Sequence, residues 1–171
     1  MMISLLGYMG SGKTHISKLL SEKLDVDFFE TDFLIAQKNK LSIPEIFEKK
    51  GELYFRKQER EVLEELLATH HKGVISLGGG TPCYYNNMEL INHNSVSIHL
   101  RTTIPVLTER LLRQKNKRPL ISRLADKEVP EFIAKHLFER NEFYNRARHT
   151  VDTTAKTPEA IISEILDLLE Y

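Results

Sequence analysis

The chain has 171 residues, enough for one domain with a real core and too few for two comfortable ones. Its 24 Lys and Arg balance 24 Asp and Glu, which argues against a dedicated nucleic-acid binder and makes any positive patch a local one. Cys83 is the only cysteine, so no intrachain disulfide or cysteine zinc site is available, and the composition is neither disordered nor membrane-spanning.

Residues 2–6 are a short apolar run, read as a buried first strand. The run lacks the basic flank and length of an export signal, so a cytoplasmic protein is expected. Residues 14–24 follow with Ile16, Leu19, Leu20 and Leu24 at helix period. Residues 26–29 are a second strand, closed by Glu30-Thr31-Asp32, and residues 33–37 a brief helix. Ser42 stands three residues before Glu45, a capping-box spacing for a helix that stops near Gly51. Residues 53–69 carry the longest helical pattern, with Leu53, Val62, Leu63, Leu66 and Leu67 as its apolar side. A third strand at 74–77 runs into Gly78-Gly79-Gly80, a fourth covers 95–100, and a helix begins at Pro105. Residues 113–127 are polar, basic in their first half and without a sustained apolar face, which reads as a loop or lid with little core contact. A helix over 132–144, a last short strand ending at Asp152 and a helix opened by Pro158 complete the chain. Short apolar strands alternating with helices imply an α/β fold with a parallel sheet covered on both faces.

Residues 7–14, Gly-Tyr-Met-Gly-Ser-Gly-Lys-Thr, fit G-x-x-x-x-G-K-[ST] between a strand and a helix. The glycines let backbone N–H groups turn toward phosphate oxygens, and the helix start adds its unpaired donors and positive dipole end. Gly10, Ser11, Gly12, Lys13 and Thr14 are therefore the candidate nucleotide contacts, with Lys13 on the β- and γ-phosphates of ATP and the Thr14 hydroxyl on Mg²⁺. No N-K-x-D guanine-reading signature is present, and size and motif content favour a phosphoryl-transfer enzyme with a small acceptor over a GTPase or a motor.

Ligands of such folds gather beyond the carboxyl ends of the strands. There Glu30 and Asp32 supply two carboxylates, one for the Mg²⁺ environment and one for an incoming alcohol; the alternative is that Asp32 only caps the next helix. Gly78, Gly79 and Gly80 offer close approach of main-chain N–H groups to a ligand, or a plain tight turn. Arg56 and Arg140, each alone an ordinary surface cation, would as a pair grip a carboxylate. Arg118, in Arg118-Pro119-Leu120, is a cation that a mobile loop would carry over the phosphates, or one charge of a solvated loop.

Taken together, GYMGSGKT at 7–14, ETD at 30–32, SIPEIFEKKGELYFRKQE at 42–59, SLGGG at 76–80, RPL at 118–120, RNEFY at 140–144 and DTTAKTP at 152–158 resemble the shikimate kinases over nearly the whole chain. The resemblance implies a three-layer P-loop fold like that of nucleoside monophosphate kinases. It comprises a five-stranded parallel sheet, a helical substrate-binding insertion (32–60) and a lid (112–127) in a single domain. It also implies transfer of a phosphoryl group from ATP, with Mg²⁺, to the 3-hydroxyl of shikimate on the route to chorismate, by a monomer that needs neither membrane nor nucleic acid. In that family's terms Asp32 holds the acceptor hydroxyls, Arg56 and Arg140 bind the carboxylate with a backbone donor from Gly79, and Arg118 acts on the transferring group. Two departures stand out: Glu30 replaces the first carboxylate of a D-x-D pattern, so that it serves the metal environment through a water, and Ala155 with Lys156 replaces an adenine-facing arginine. A kinase of another hydroxy acid such as gluconate, and a non-catalytic nucleotide-binding homologue, are the alternatives.

Overall fold

In the computed structural model, which describes residues 1–170, the strands are Met2–Leu6 (β1), Phe28–Glu30 (β2), Gly73–Ser76 (β3), Val96–Arg101 (β4) and His149–Asp152 (β5). They form one parallel sheet in the order β2-β3-β1-β4-β5. The longer helices are Lys13–Leu24 (α1), Thr31–Asn39 (α2), Ile43–Lys50 (α3), Glu52–Thr69 (α4), Asn87–Asn94 (α5) and Ile104–Arg113 (α6). The short Pro119–Ser122 (α7) is followed by Val129–Tyr144 (α8) and Pro158–Leu169 (α9).

Burial on both faces explains why β1 reads as continuously apolar rather than alternating. Ile3 and Leu5 face one core with Val74, Ile98, Leu100 and Val151, closed by Ile16 and Leu20 of α1 and Ile161 and Ile165 of α9. Met2 and Leu6 face the other with Ile75, closed by α4, α5, α6 and α8 through residues such as Leu63, Ile91, Leu107 and Ile133. Register places Leu5 beside Ser76, Glu30 beside Ser76, and Leu6 beside His99. The loops that leave β1, β2 and β3 therefore emerge side by side at the carboxyl end of the sheet. No helix among the described residues is long and apolar enough to cross a membrane.

Several local expectations need correction. Leu53 does not join the apolar side of α4; it is 85% exposed, and the buried stripe begins at Phe55. Helix α5 is absent from the sequence reading. The segment after Lys115 is not a featureless polar loop: it holds α7 between two single 3-10 turns, and Ile121 is fully buried in the core. Asp32 is not an N-cap, because α2 starts at Thr31 and Asp32 sits inside its first turn. The capping box of Ser42 and Glu45 forms as the spacing implies, with both reciprocal hydrogen bonds at 3.3 Å.

Candidate active site

A cleft of about 650 Å³ opens over the carboxyl ends of β1, β2 and β3. The loop from β1 to α1 forms its floor. Gly12 takes the left-handed conformation (φ 91°) that reverses the chain into α1, and no side chain caps the helix, so its first N–H groups face the cleft. Lys13 is 9% exposed, and its ammonium donates to the Gly7 and Tyr8 carbonyls at 2.8 and 3.0 Å. Burial lowers its pKa to about 8 against the pull of Asp32, which leaves it mostly charged at neutral pH. The Ser11 hydroxyl is buried without a hydrogen-bond partner among the described residues. Arg110, which no sequence pattern singled out, donates from α6 to the Gly10 carbonyl at 3.0 Å and braces the loop from outside.

Beside the loop, the Thr14 hydroxyl lies 3.3 Å from Glu30 Oε1 and 3.4 Å from the Ser76 hydroxyl. Three oxygen donors, one from the first turn of α1 and two from the adjoining ends of β2 and β3, suit a hard divalent cation. No cluster of three or more His, Cys, Asp or Glu side chains with metal-holding geometry occurs among the described residues, so phosphate and water oxygens would complete any coordination. The longer Glu30 side chain does reach Thr14, and Ser76 is a member of this group that the sequence reading passed over.

Asp32 lies deeper. Its Oδ1 is buried without a hydrogen-bond partner among the described residues, and burial raises its pKa above the ordinary carboxylate range while Lys13 pulls it back. Thr31 links this turn to the triple glycine, since its hydroxyl accepts the Gly78 N–H at 3.0 Å.

The glycines make space, most tightly at Gly78 and Gly80 and less so at Gly79. A Cβ on Gly78 would lie 2.7 Å from Asp32 Oδ1, one on Gly79 3.3 Å from Arg140 Nη1, and one on Gly80 2.5 Å from Arg56 Nη1. Each glycine thus makes room for one of the three acceptor-side groups. Arg56 is only 8% exposed, and its Nη1 donates at 2.8 Å to Glu59, a carboxylate 1% exposed that also accepts the Thr81 hydroxyl. Burial raises the Glu59 pKa while Arg56 draws it down. The Tyr84 ring covers the Arg56 guanidinium at 4.0 Å, and Glu52 lies 3.5 Å from its Nε. Arg140 enters from α8, and Tyr144 on the same helix donates to the Gly79 carbonyl at 2.6 Å. Glu59, Thr31 and Tyr84 hold the site together, and none of the three is among the site residues that the sequence marks.

The cleft therefore collects Lys13, Thr14, Glu30, Asp32, Arg56, Gly78, Gly79, Gly80, Arg118 and Arg140. Arg118 sits on the rim, 3.3 Å from the Gln114 side chain. Lys156 also lines the cleft, its ammonium 2.6 Å from Glu164 in a solvent-exposed pair.

A phosphate-binding loop at the end of the central strand of a 2-3-1-4-5 parallel sheet, with a carboxylate and two arginines beyond it, defines a P-loop small-molecule kinase of nucleoside monophosphate kinase-like architecture. Comparison with known proteins narrows the class. Residues 9–170 match the family model for shikimate kinase. A shikimate kinase from Flavobacterium johnsoniae is 46% identical over 168 residues, 98% of each chain, and one from Sulfurihydrogenibium is 38% identical over 166 residues, 96% of this chain and 95% of the relative. The crystal structure of shikimate kinase from Bacteroides thetaiotaomicron superposes with a TM-score of 0.93 at 34% identity, covering 99% of this chain and 98% of that one. The Acinetobacter baumannii shikimate kinase in complex with shikimate gives 0.88 at 31% identity, covering 99% and 92%. The chain belongs to the shikimate kinase family, the enzymes that phosphorylate shikimate with ATP.

Proposed function

We propose that this cleft transfers the γ-phosphoryl group of ATP to the 3-hydroxyl of shikimate. Residues 32–60 carry the acceptor-binding part and residues 112–127 act as the lid. The observation that supports this most is the pairing of each glycine of the 78–80 triplet with Asp32, Arg140 or Arg56, which leaves a carboxylate and two cations facing one space beside the phosphate loop.

In this reading Arg56 and Arg140 grip the shikimate carboxylate, with a backbone donor from Gly79, and so fix the ring. Asp32, buried and with an unpartnered oxygen, orients the acceptor hydroxyl and takes its proton. The hydroxyl oxygen bonds to the γ-phosphorus as the bond from that phosphorus to the bridging oxygen breaks, and ADP leaves with the electron pair. Gly10, Ser11, Gly12, Lys13 and Thr14 hold the β- and γ-phosphates through main-chain N–H groups and the Lys13 ammonium. Arg118 neutralises charge on the transferring group and, with its segment in place, excludes water that would otherwise hydrolyse ATP. Mg²⁺, for which Thr14, Glu30 and Ser76 form a fitting oxygen set, supplies further charge stabilisation when bound. Glu30 contributes directly or through a water.

The test is ADP release with Mg·ATP and a panel of hydroxy acids, the product being identified by mass. Turnover of shikimate to shikimate 3-phosphate, and not of gluconate, is expected; no turnover of shikimate overturns the reading. Within the same assay Arg56→Ala chiefly raises the shikimate KM and Lys13→Ala chiefly impairs use of ATP.

A further inference from the structure

Tyr8 occupies a free position of the phosphate-loop motif, yet it is 2% exposed and does not line the cleft. Its main chain shapes the loop, because the Tyr8 carbonyl accepts both the Lys13 ammonium at 3.0 Å and the Ser11 N–H at 3.1 Å. Its side chain does something else. The hydroxyl meets His136 Nδ1 of α8 at 2.9 Å, and the two rings stand edge to face with centroids 5.4 Å apart. Phe132 packs against the same imidazole at 5.4 Å.

Phosphate binding by the loop requires N–H groups and Lys13, so the phenol hydroxyl has no part in it. What it reaches on α8 is informative. His136, Arg140 and Tyr144 are spaced four apart and form one stripe of that helix. Tyr144 ties the far end of the stripe to the Gly79 carbonyl, and His136 ties the near end to Tyr8. Arg140 lies between the two ties, its guanidinium 5.9 Å from the Tyr8 ring centroid. Among the described residues, His136 makes the first side-chain hydrogen bond from α8 to the rest of the domain after the 112–127 segment. The protonation states suit a fixed tie: burial raises Tyr8 to about 12, and burial with Arg140 nearby lowers His136 to about 4, so a neutral phenol shares one hydrogen bond with a neutral imidazole.

We propose that Tyr8 and His136 are a positioning pair that fixes Arg140 relative to the nucleotide loop, and thereby sets where the acceptor acid lies. This rests on the shikimate kinase reading of the cleft. Neither residue touches substrate, so the pair acts through Arg140. If the tie is lost, α8 keeps its apolar anchors Val129 and Ile133, both fully buried, and Arg140 gains freedom.

The experiment compares wild type, Tyr8→Phe, His136→Leu, His136→Gln and the Tyr8→Phe/His136→Leu double variant in steady-state kinetics, with thermal unfolding to confirm folding. Tyr8→Phe keeps ring and burial and removes one oxygen. It is expected to raise the shikimate KM by about fivefold to tenfold, with the ATP KM within about twofold of wild type. The double variant is expected to be no worse than His136→Leu alone, and His136→Gln, which retains an acceptor, to recover most of the affinity. A shikimate KM for Tyr8→Phe within about twofold of wild type overturns the proposal, as do an equal rise in the ATP KM or effects that multiply in the double variant. Wild-type protein without shikimate turnover would instead overturn the functional reading, and the pairing inference with it.

Discussion

Gly80→Ala tests the carboxylate grip most sharply. The Gly80 backbone lies at φ −91° and ψ −13°, a conformation alanine adopts readily, so the added methyl acts through bulk alone. That methyl carbon would sit 2.5 Å from Nη1 of Arg56 and 3.0 Å from its Cζ and Nη2. Nη1 must retreat by about 0.9 Å to reach an ordinary contact near 3.4 Å. A surface arginine would swing aside. Arg56 is pinned, with Glu59 holding Nη1 at 2.8 Å and the Tyr84 ring covering its face at 4.0 Å. A shift of that size forfeits about one charge-assisted hydrogen bond, on the order of 1.5–3 kcal/mol. In affinity that is roughly 10- to 150-fold. Steady-state kinetics, varying shikimate at saturating ATP and then the reverse, should show a rise of that order in the shikimate KM and little change for ATP. Gly79→Ala is the internal control, since its methyl would meet Arg140 Nη1 at 3.3 Å and asks for only a small adjustment. The reasoning is refuted if folded Gly80→Ala protein keeps its shikimate KM within about twofold, or if Gly79→Ala is the more damaging change.

Glu30→Gln should raise the Mg²⁺ concentration for half-maximal rate by about tenfold while leaving shikimate affinity in direct titration unchanged, because the oxygen near Thr14 loses its charge; an unaltered Mg²⁺ requirement would remove Glu30 from the metal environment. His99 is 3% exposed with Nδ1 unpartnered among the described residues, and burial, with Arg101 and Lys13 nearby, lowers its pKa to about 4. The unfolded chain takes up that proton near pH 6.5 and the native state only near 4. Its contribution to stability is therefore complete above pH 6.5 and lost as pH falls toward 4, up to about 3 kcal/mol. Urea unfolding of wild type and His99→Phe from pH 7.5 to 5 should show a weaker acid-side loss in the variant, and parallel curves would contradict this account.

Local features carried most of the fold. The phosphate loop is legible because eight consecutive residues, a strand before and a helix after, all serve one purpose. Strand ends with ETD and SLGGG were legible because glycines and carboxylates are conspicuous where apolar runs stop. Helix α5 escaped because it is only eight residues long, with Met88, Leu90 and Ile91 as its apolar residues, too few to establish a helix period. Leu53 was misplaced since its helix already completes a buried stripe from Phe55 to Leu67, leaving the first turn in solvent. Residues 112–127 join the core through buried Ile121, with Leu112 and Leu124 packed against it, and three scattered apolar residues do not set a period. The contacts that finish the site were out of reach for another reason. Arg110 meets Gly10 across 100 residues and Tyr8 meets His136 across 128, pairings that exist only once the sheet order is fixed.

The enclosure of Arg56 also bears on which molecules the enzyme refuses. A guanidinium held by Glu59, roofed by Tyr84 and floored by Gly80 has no solvent to turn to when its ligand lacks a negative charge. On the proposed reading, replacing the acid of the substrate by an amide or ester leaves Arg56 paired with Glu59 but without its second anionic partner, and such analogues should bind more weakly. Analogues meant to fill the proposed acceptor site should therefore keep an anionic head.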